Sequence, residues 1–227
     1  MKIGIIFAMN EELNALKKYL KIDKINKIYE LEFFEGIIGN TNCVLVECGI
    51  GKVNAARATQ VLIDNYKLDY VFNIGVAGGV STDLKVGDIV VGEKLVQHDF
   101  DITAFDHEKG YVPNLGGKFI NANDYLIELS KKNSISVKYG VIASGDIFCT
   151  DVNMSNKINT KFDALCVEME GAAIAQVCHL CKVPFLIIRS ISDVPNNENQ
   201  ITFDEFLLEA SSKVADYLFE MLNNIKN

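Results

Sequence analysis

Apolar residues in this chain fall into short runs separated by stretches with helical spacing. Residues 3–8 form a continuous apolar run, as in a strand buried on both faces. Asn10 follows as the expected N-cap of a helix with Glu11 and Glu12 in its first turn. Residues 28–48 read as two strands with Gly39-Asn40 as the turn. Residues 52–66 alternate with helical period, and 70–74 read as a strand that ends on the glycine turn Gly75-Val76-Ala77-Gly78-Gly79. Further strands are expected over 88–96, 139–144, 165–168 and 185–191, and helices over 123–132, 169–181 and 203–224. This alternation predicts an α/β fold, with a mainly parallel or mixed central sheet flanked by helices. With no repeat, low-complexity tract or linker, one domain is expected over 1–227.

In such sheets ligands bind beyond the carboxyl ends of the strands. That rule selects residues 9–12, 75–79, 144–149, 168–170 and 189–193, where polar or glycine residues follow apolar runs.

Composition narrows the function. The formal net charge is −8, which disfavours nucleic acid, since polyanion binding needs a basic face. The only arginines are Arg57 and Arg189, so an arginine-built phosphate clamp would have to use one of them. The six cysteines lack the spacing of a secreted disulfide framework and are expected to be reduced, in the cytoplasm. Cys178-His179-Leu180-Cys181 has CxxC spacing but no second ligand pair, and it reads as a helix end rather than a metal site. The apolar start is short, runs into Glu11-Glu12 and has no small-residue cleavage site, so it is not expected to be a signal peptide. No apolar run is long enough to span a bilayer.

Local motifs are ambiguous one at a time. Gly49-Ile50-Gly51-Lys52 lacks the earlier glycine and the Ser/Thr of a phosphate-binding loop, and Gly75 to Gly79 fails the dinucleotide spacing. Each glycine cluster alone reads as a tight turn, although a strand end leaves room for a ligand to approach the backbone. Val167-Glu168-Met169-Glu170-Gly171-Ala172-Ala173 sets two acids in an apolar stretch, where acids are rarely buried without a partner. The bland alternative is a solvated helix start. Ile187-Ile188-Arg189-Ser190-Ile191-Ser192-Asp193 delivers Arg, Ser and Asp to a strand end, with a structural ion pair as its bland reading. Glu11-Glu12 alone suits an ordinary acidic helix start.

Taken together, the segments resemble a family. Ile3-Gly4-Ile5-Ile6, Ala8-Met9-Asn10-Glu11-Glu12, Gly49-Ile50-Gly51-Lys52-Val53, Leu84-Lys85-Val86-Gly87-Asp88, Asp101-Ile102-Thr103-Ala104-Phe105, Ser144-Gly145-Asp146, Val167-Glu168-Met169-Glu170 and Arg189-Ser190-Ile191-Ser192-Asp193 are similar to the methylthioadenosine/adenosylhomocysteine nucleosidases. The order is kept to Phe206 with nearly unchanged spacing. The resemblance implies the nucleoside phosphorylase-like fold and hydrolysis of the N-glycosidic bond of 5'-methylthioadenosine and S-adenosylhomocysteine. Adenine would be released without a cofactor or metal, in methionine salvage and the methyl cycle.

It also implies roles. Glu12 would be the general base that activates water, with a helix N-terminus favouring its ionised form. Asp193 would protonate N7 of the leaving adenine, with Ser192 orienting it. Glu170 would bind the ribose hydroxyls beside the Met169 backbone and Glu168, and Arg189 would be catalytic, lying near the water and the ribose. The backbones of Phe148 and Cys149 would read adenine, with the Phe148 and Phe203 rings nearby. Val76, Ala77 and Gly78 would border the substrate. Met9, Ile50, Ile102, Phe105, Pro113 and Phe203 would form the thioether pocket, with Phe105 and Pro113 reaching across a homodimer interface.

Two positions depart from the family pattern. Val76 stands where a serine near the water is common, and His107 where a tyrosine is common at the alkylthio end. The nearest rival, a purine nucleoside phosphorylase, would need cationic phosphate ligands. Phosphorylase-like relatives carry an arginine where this chain has Asn73, and they lack the acid that Glu12 supplies. A carboxylate there would repel phosphate and deprotonate water. A non-catalytic nucleoside-binding protein would have lost Glu12, Glu170 or Asp193, and all three are present. Methylthioadenosine, adenosylhomocysteine, 5'-deoxyadenosine and aminodeoxyfutalosine share the adenine and ribose ends, so the sequence leaves their order open.

Overall fold

The first strand shows why the apolar runs become the centre of the sheet. In β1 (Lys2–Phe7), Ile3, Ile5, Ile6 and Phe7 have no exposed surface, because both faces are covered. Each such side chain contributes about 1.5–3 kcal/mol by leaving water. The structure, a computed structural model, describes residues 1–194 and 199–225. Residues 195–198 and 226–227 of the expected 1–227 domain lie outside the described residues.

After β1 come α1 (Asn10–Lys17), β2 (Leu20–Ile28), β3 (Leu31–Ile38), β4 (Thr41–Glu47), α2 (Lys52–Asn65), β5 (Tyr70–Gly79) and β6 (Ile89–Gln97). The second half holds β7 (Ile120–Asn121), α3 (Asp124–Ser130), β8 (Lys138–Ser144), α4 (Val152–Phe162), β9 (Ala164–Glu168), α5 (Gly171–Leu180), β10 (Phe185–Asp193) and α6 (Asn199–Asn224). One-turn 3-10 helices occupy Thr103–Phe105 and Pro113–Leu115.

The sheet is mixed. Strands β5, β10, β6, β8 and β9 pair in a closed circuit, and β1, β4, β3 and β2 extend it from β5. Pairings β1–β4, β1–β5, β5–β10, β6–β8 and β8–β9 are parallel. The antiparallel pairings are β6–β10, β2–β3, β3–β4, β5–β9 and β6–β7. Helix α6 covers β10 and β5, and α2 packs on α5. The buried residues of α5 are Gly171, Ala172, Ala173, Ile174, Ala175 and Cys178, mostly small side chains that allow close packing.

Several local expectations need correction. Strand β2 is absent from the sequence reading: it is an edge strand, exposed along most of its length, and Ile22, Ile25 and Ile28 recur every three residues instead of every two. Helix α4 is also absent from it, because only Ser155, Ile158 and Phe162 are buried on an otherwise polar helix. Asn10 is not the N-cap of α1; Met9 is, with extended backbone. Asn10 instead donates from Nδ2 to Glu47 at 3.3 Å. Gly75 to Gly79 do not form a turn: β5 runs through all five residues to Gly79.

Candidate active site

A cleft of about 600 Å³ opens where the carboxyl ends of β1, β5, β8, β9 and β10 converge. Its walls are largely apolar, and Glu12, Glu168, Glu170 and Asp193 line it from three segments, the start of α1, the β9–α5 junction and the end of β10.

Glu12 sits in the first turn of α1 and is buried. Its Oε2 accepts the N–H of Ala8 at 2.9 Å and of Met9 at 3.1 Å, while Oε1 accepts the N–H of Val76 at 3.0 Å. Burial pushes its carboxyl above the usual carboxylate range, and Arg189 and the three N–H donors only partly offset this. Desolvation is the largest influence on this carboxyl, ahead of the arginine and the backbone donors. A raised carboxyl is closer to the range useful to a general base at neutral pH. This approach requires a glycine in β5, because a Cβ on Gly75 would stand 2.5 Å from Glu12 Oε1.

Asp193 ends β10. The β5–β10 register slips between Ile191 and Asp193, which pairs with Gly78, leaving Ser192 as an extra residue. Neighbouring strand residues normally face opposite sides. This bulge lets Ser192 and Asp193 both line the cleft. Ser192 Oγ donates to Asp193 Oδ1 at 2.8 Å. A Cβ on Gly78 would stand 3.2 Å from Asp193 Oδ2, so β5 yields space to both acids.

Glu168 and Glu170 are buried, not the solvated helix start that was the bland alternative. Glu168 Oε2 accepts the N–H of Glu170 at 3.1 Å and of Gly171 at 2.7 Å, and its Oε1 accepts the Ser144 hydroxyl. Ser144 Oγ in turn accepts the N–H of Ala172 at 2.7 Å. Glu170 Oε1 accepts the N–H of Gly51 at 2.8 Å. Burial, then the neighbouring Glu168, pushes the Glu170 carboxyl up to about 8.

Arg189 is buried beneath this floor and does not line the cleft. Its Nη2 donates to Glu168 and to Asn73 Oδ1, and Nη1 to the carbonyls of Ile188 at 3.1 Å and Asn73 at 3.4 Å. Asn73 is itself anchored by donating to the Ile6 carbonyl at 3.0 Å. Arg189 is thus a structural partner of Glu168 in this chain, and its charge reaches Glu12 and Glu170 through the interior.

Met9, Ile50, Val76, Ala77, Gly78, Phe148, Cys149, Met169, Ser192 and Phe203 line the cleft, as the sequence reading places them. The rings of Phe148 and Phe203 meet edge to face, with centroids 5.5 Å apart. Ile102 and Phe105 do not line it within one chain, and Phe105 is 75% exposed on its one-turn helix. Ala8, Ile147 and Val167 line it unforeseen. Each directly adjoins a residue already singled out, which was the available signal. Asn73 and Ser144 hold Arg189 and Glu168, a role that no local pattern in the sequence signals.

The chain matches the model of the phosphorylase superfamily over residues 2–223. It is 41% identical over 231 residues to the 5'-methylthioadenosine/S-adenosylhomocysteine nucleosidase of Bacillus velezensis, spanning 99% of this chain and 100% of that protein. The chain belongs to the 5'-methylthioadenosine/S-adenosylhomocysteine nucleosidase family. Solved structures agree. That of the S. pneumoniae nucleosidase with a transition-state inhibitor has a TM-score of 0.95 and 37% identity, covering 100% of both chains. The native futalosine hydrolase of Helicobacter pylori has a TM-score of 0.95 and 35% identity, covering 99% of this chain and 98% of that one.

Within this family the Val76 departure has a limited structural meaning. The backbone N–H of Val76 still holds Glu12, so the missing hydroxyl leaves the carboxylate anchored. His107 stacks on Tyr111 with ring centroids 4.3 Å apart, in the loop that also carries Phe105. No group of three or more His, Cys, Asp or Glu side chains among the described residues is arranged to hold a metal.

Proposed function

We propose that this protein hydrolyses the N-glycosidic bond of 5'-methylthioadenosine and S-adenosylhomocysteine, releasing adenine and the 5'-substituted ribose. The observation that carries the reading is the charge balance of the cleft. Four buried carboxyls serve it, whereas the one buried arginine lies beneath it, committed to Glu168 and Asn73. Such a site offers phosphate no cationic ligand, and the carboxylate of Glu12 favours the positive charge that develops on the ribose as the glycosidic bond breaks.

Glu12, held as an acceptor by three N–H groups, takes a proton from the attacking water. Asp193, steadied by Ser192, delivers a proton to N7 so that adenine leaves neutral. Glu170, next to the Met169 backbone, grips the ribose hydroxyls. The Phe148–Cys149 backbone reads the purine beside the Phe148 and Phe203 rings. Met9, Ile50 and Phe203 receive the thioether, completed by Ile102, Phe105 and Pro113 of a homodimer.

5'-Deoxyadenosine and aminodeoxyfutalosine share the adenine and ribose ends, so the same contacts serve them, and the reading includes both as substrates. We place the activity in methionine salvage and the methyl cycle, in the cytoplasm. All six cysteines are free, and no described helix is long and apolar enough to cross a membrane. The deciding test is adenine release from each of the four nucleosides with and without phosphate. Full turnover in phosphate-free buffer is expected; dependence on phosphate would make the protein a phosphorylase.

A further inference from the structure

Two sequence motifs have no part in the reaction just described, Gly49-Ile50-Gly51-Lys52 apart from Ile50, and Ser144-Gly145-Asp146. The structure joins them. Helix α2 starts at Gly51 and Lys52 without a side-chain cap of its own and without an acid in its first turn. A helix start has free N–H groups that need acceptors. Two carboxylates from distant segments supply them. Gly51 N–H donates to Glu170 Oε1 at 2.8 Å, and Lys52 N–H donates to Asp146 Oδ1 at 2.8 Å.

Asp146 lies on the segment that leads from β8 into Phe148 and Cys149. A third acid, Asp99, closes the ring. Its Oδ2 accepts the N–H of Asp146 at 2.9 Å, and its Oδ1 takes the Lys52 ammonium at 2.6 Å. Lys52 Nζ also donates to Gln97 Oε1 at 3.1 Å. The Lys52–Asp99 pair is mostly shielded, with side chains 16% and 19% exposed, so it is screened less than a surface pair.

We infer that Asp146 and Asp99 are positioning residues: with Lys52 they lock the adenine-side segment to the start of α2, whose Gly51 N–H aims Glu170 at the ribose. The inference rests on the nucleosidase reading for the role of Glu170. One end of the substrate would thus be held at a set distance from the other by a ring of hydrogen bonds that touches neither. Backbone placement matters because a misplacement of about 1 Å can lower a rate about 10²-fold.

The test is a double-mutant cycle of Asp146→Ala and Glu170→Gln, read as kcat/KM for adenine release from methylthioadenosine, with Asp146→Asn as the conservative variant. Asp146→Ala should lose roughly 10- to 100-fold in kcat/KM. Asp146→Asn keeps an acceptor for Lys52 N–H and should recover most of that loss. In the Glu170→Gln background, Asp146→Ala should cost much less, because part of what it positions is already gone. Asp99→Ala, which leaves the α2 cap in place, should show the same non-additivity and serves if Asp146→Ala fails to fold. Independent, multiplicative losses would overturn the inference, as would kinetics of Asp146→Ala and Asp99→Ala equal to wild type. Loss of thermal stability with unchanged kcat/KM would make the ring merely structural. If Glu170→Gln alone left kcat/KM unchanged, the ribose role of Glu170 would fall instead.

Discussion

Gly75→Ala tests whether catalysis depends on the close approach of Glu12 to β5. Gly75 has no left-handed φ, so alanine is compatible with its backbone and acts only through its methyl group. That methyl would stand 2.5 Å from Glu12 Oε1, 3.1 Å from Cδ and 3.4 Å from Oε2. Ordinary contact begins near 3.4 Å, so Oε1 must retreat by about 0.9 Å. The 3.0 Å bond from Val76 N–H lies on the same oxygen and is the first to break. A hydrogen bond to a charged group is worth about 1.5–3 kcal/mol. A base moved by nearly 1 Å is expected to lower kcat by about 10²-fold. KM should change little, since the residues assigned to adenine and ribose lie on other elements. Initial rates of adenine release give kcat and KM, and a thermal melt reports stability. Gly117→Ala is the control, because a Cβ there meets nothing within 4 Å. A Gly75→Ala enzyme with kcat within a few fold of wild type would refute the placement of Glu12 as the base.

Three further outcomes follow from the same geometry. Asp193→Asn should bind methylthioadenosine with near-native affinity by calorimetry yet lose most turnover, because protonation of the leaving purine matures only in the transition state; preserved turnover removes it from the acid role. Glu170 is raised to about 8, so its ionisation costs stability once pH exceeds the unfolded value near 4.5, and the cost grows until pH passes about 8. Glu170→Gln keeps an acceptor for Gly51 N–H and should therefore melt higher than wild type, by on the order of 3 kcal/mol at pH 7 and by nothing below about pH 4; a melting difference independent of pH contradicts this. Sedimentation should show a dimer at micromolar concentration that buries the exposed Phe105, and a fully active monomer would remove the cross-subunit pocket.

The sequence by itself determined the parts governed by local pattern and by burial. Runs such as 3–8 and 185–191 have the length and the β-branched content of a strand buried on both faces, so their strands and the polar residues at their carboxyl ends were legible. Acids beside apolar runs drew attention to 168–170 and 193, but the roles expected of Glu12, Glu170 and Asp193 came from the family resemblance, since each segment alone also suits a bland reading. Edge strand β2 and helix α4 were not legible, because a mostly solvated element carries little hydrophobic periodicity. Other features depend on partners far apart in the chain. The passage of β5 through Gly75 to Gly79 follows from its pairing with β10, and the bulge at Ser192 from a register slip between those strands. The placement of Arg189 under Glu168 depends on residues 116 and 21 positions away. The raised carboxyl of Glu12 is decided the same way. Locally a helix start favours its charge, but the folded protein removes its water, and in the folded site desolvation outweighs the donors and the buried arginine.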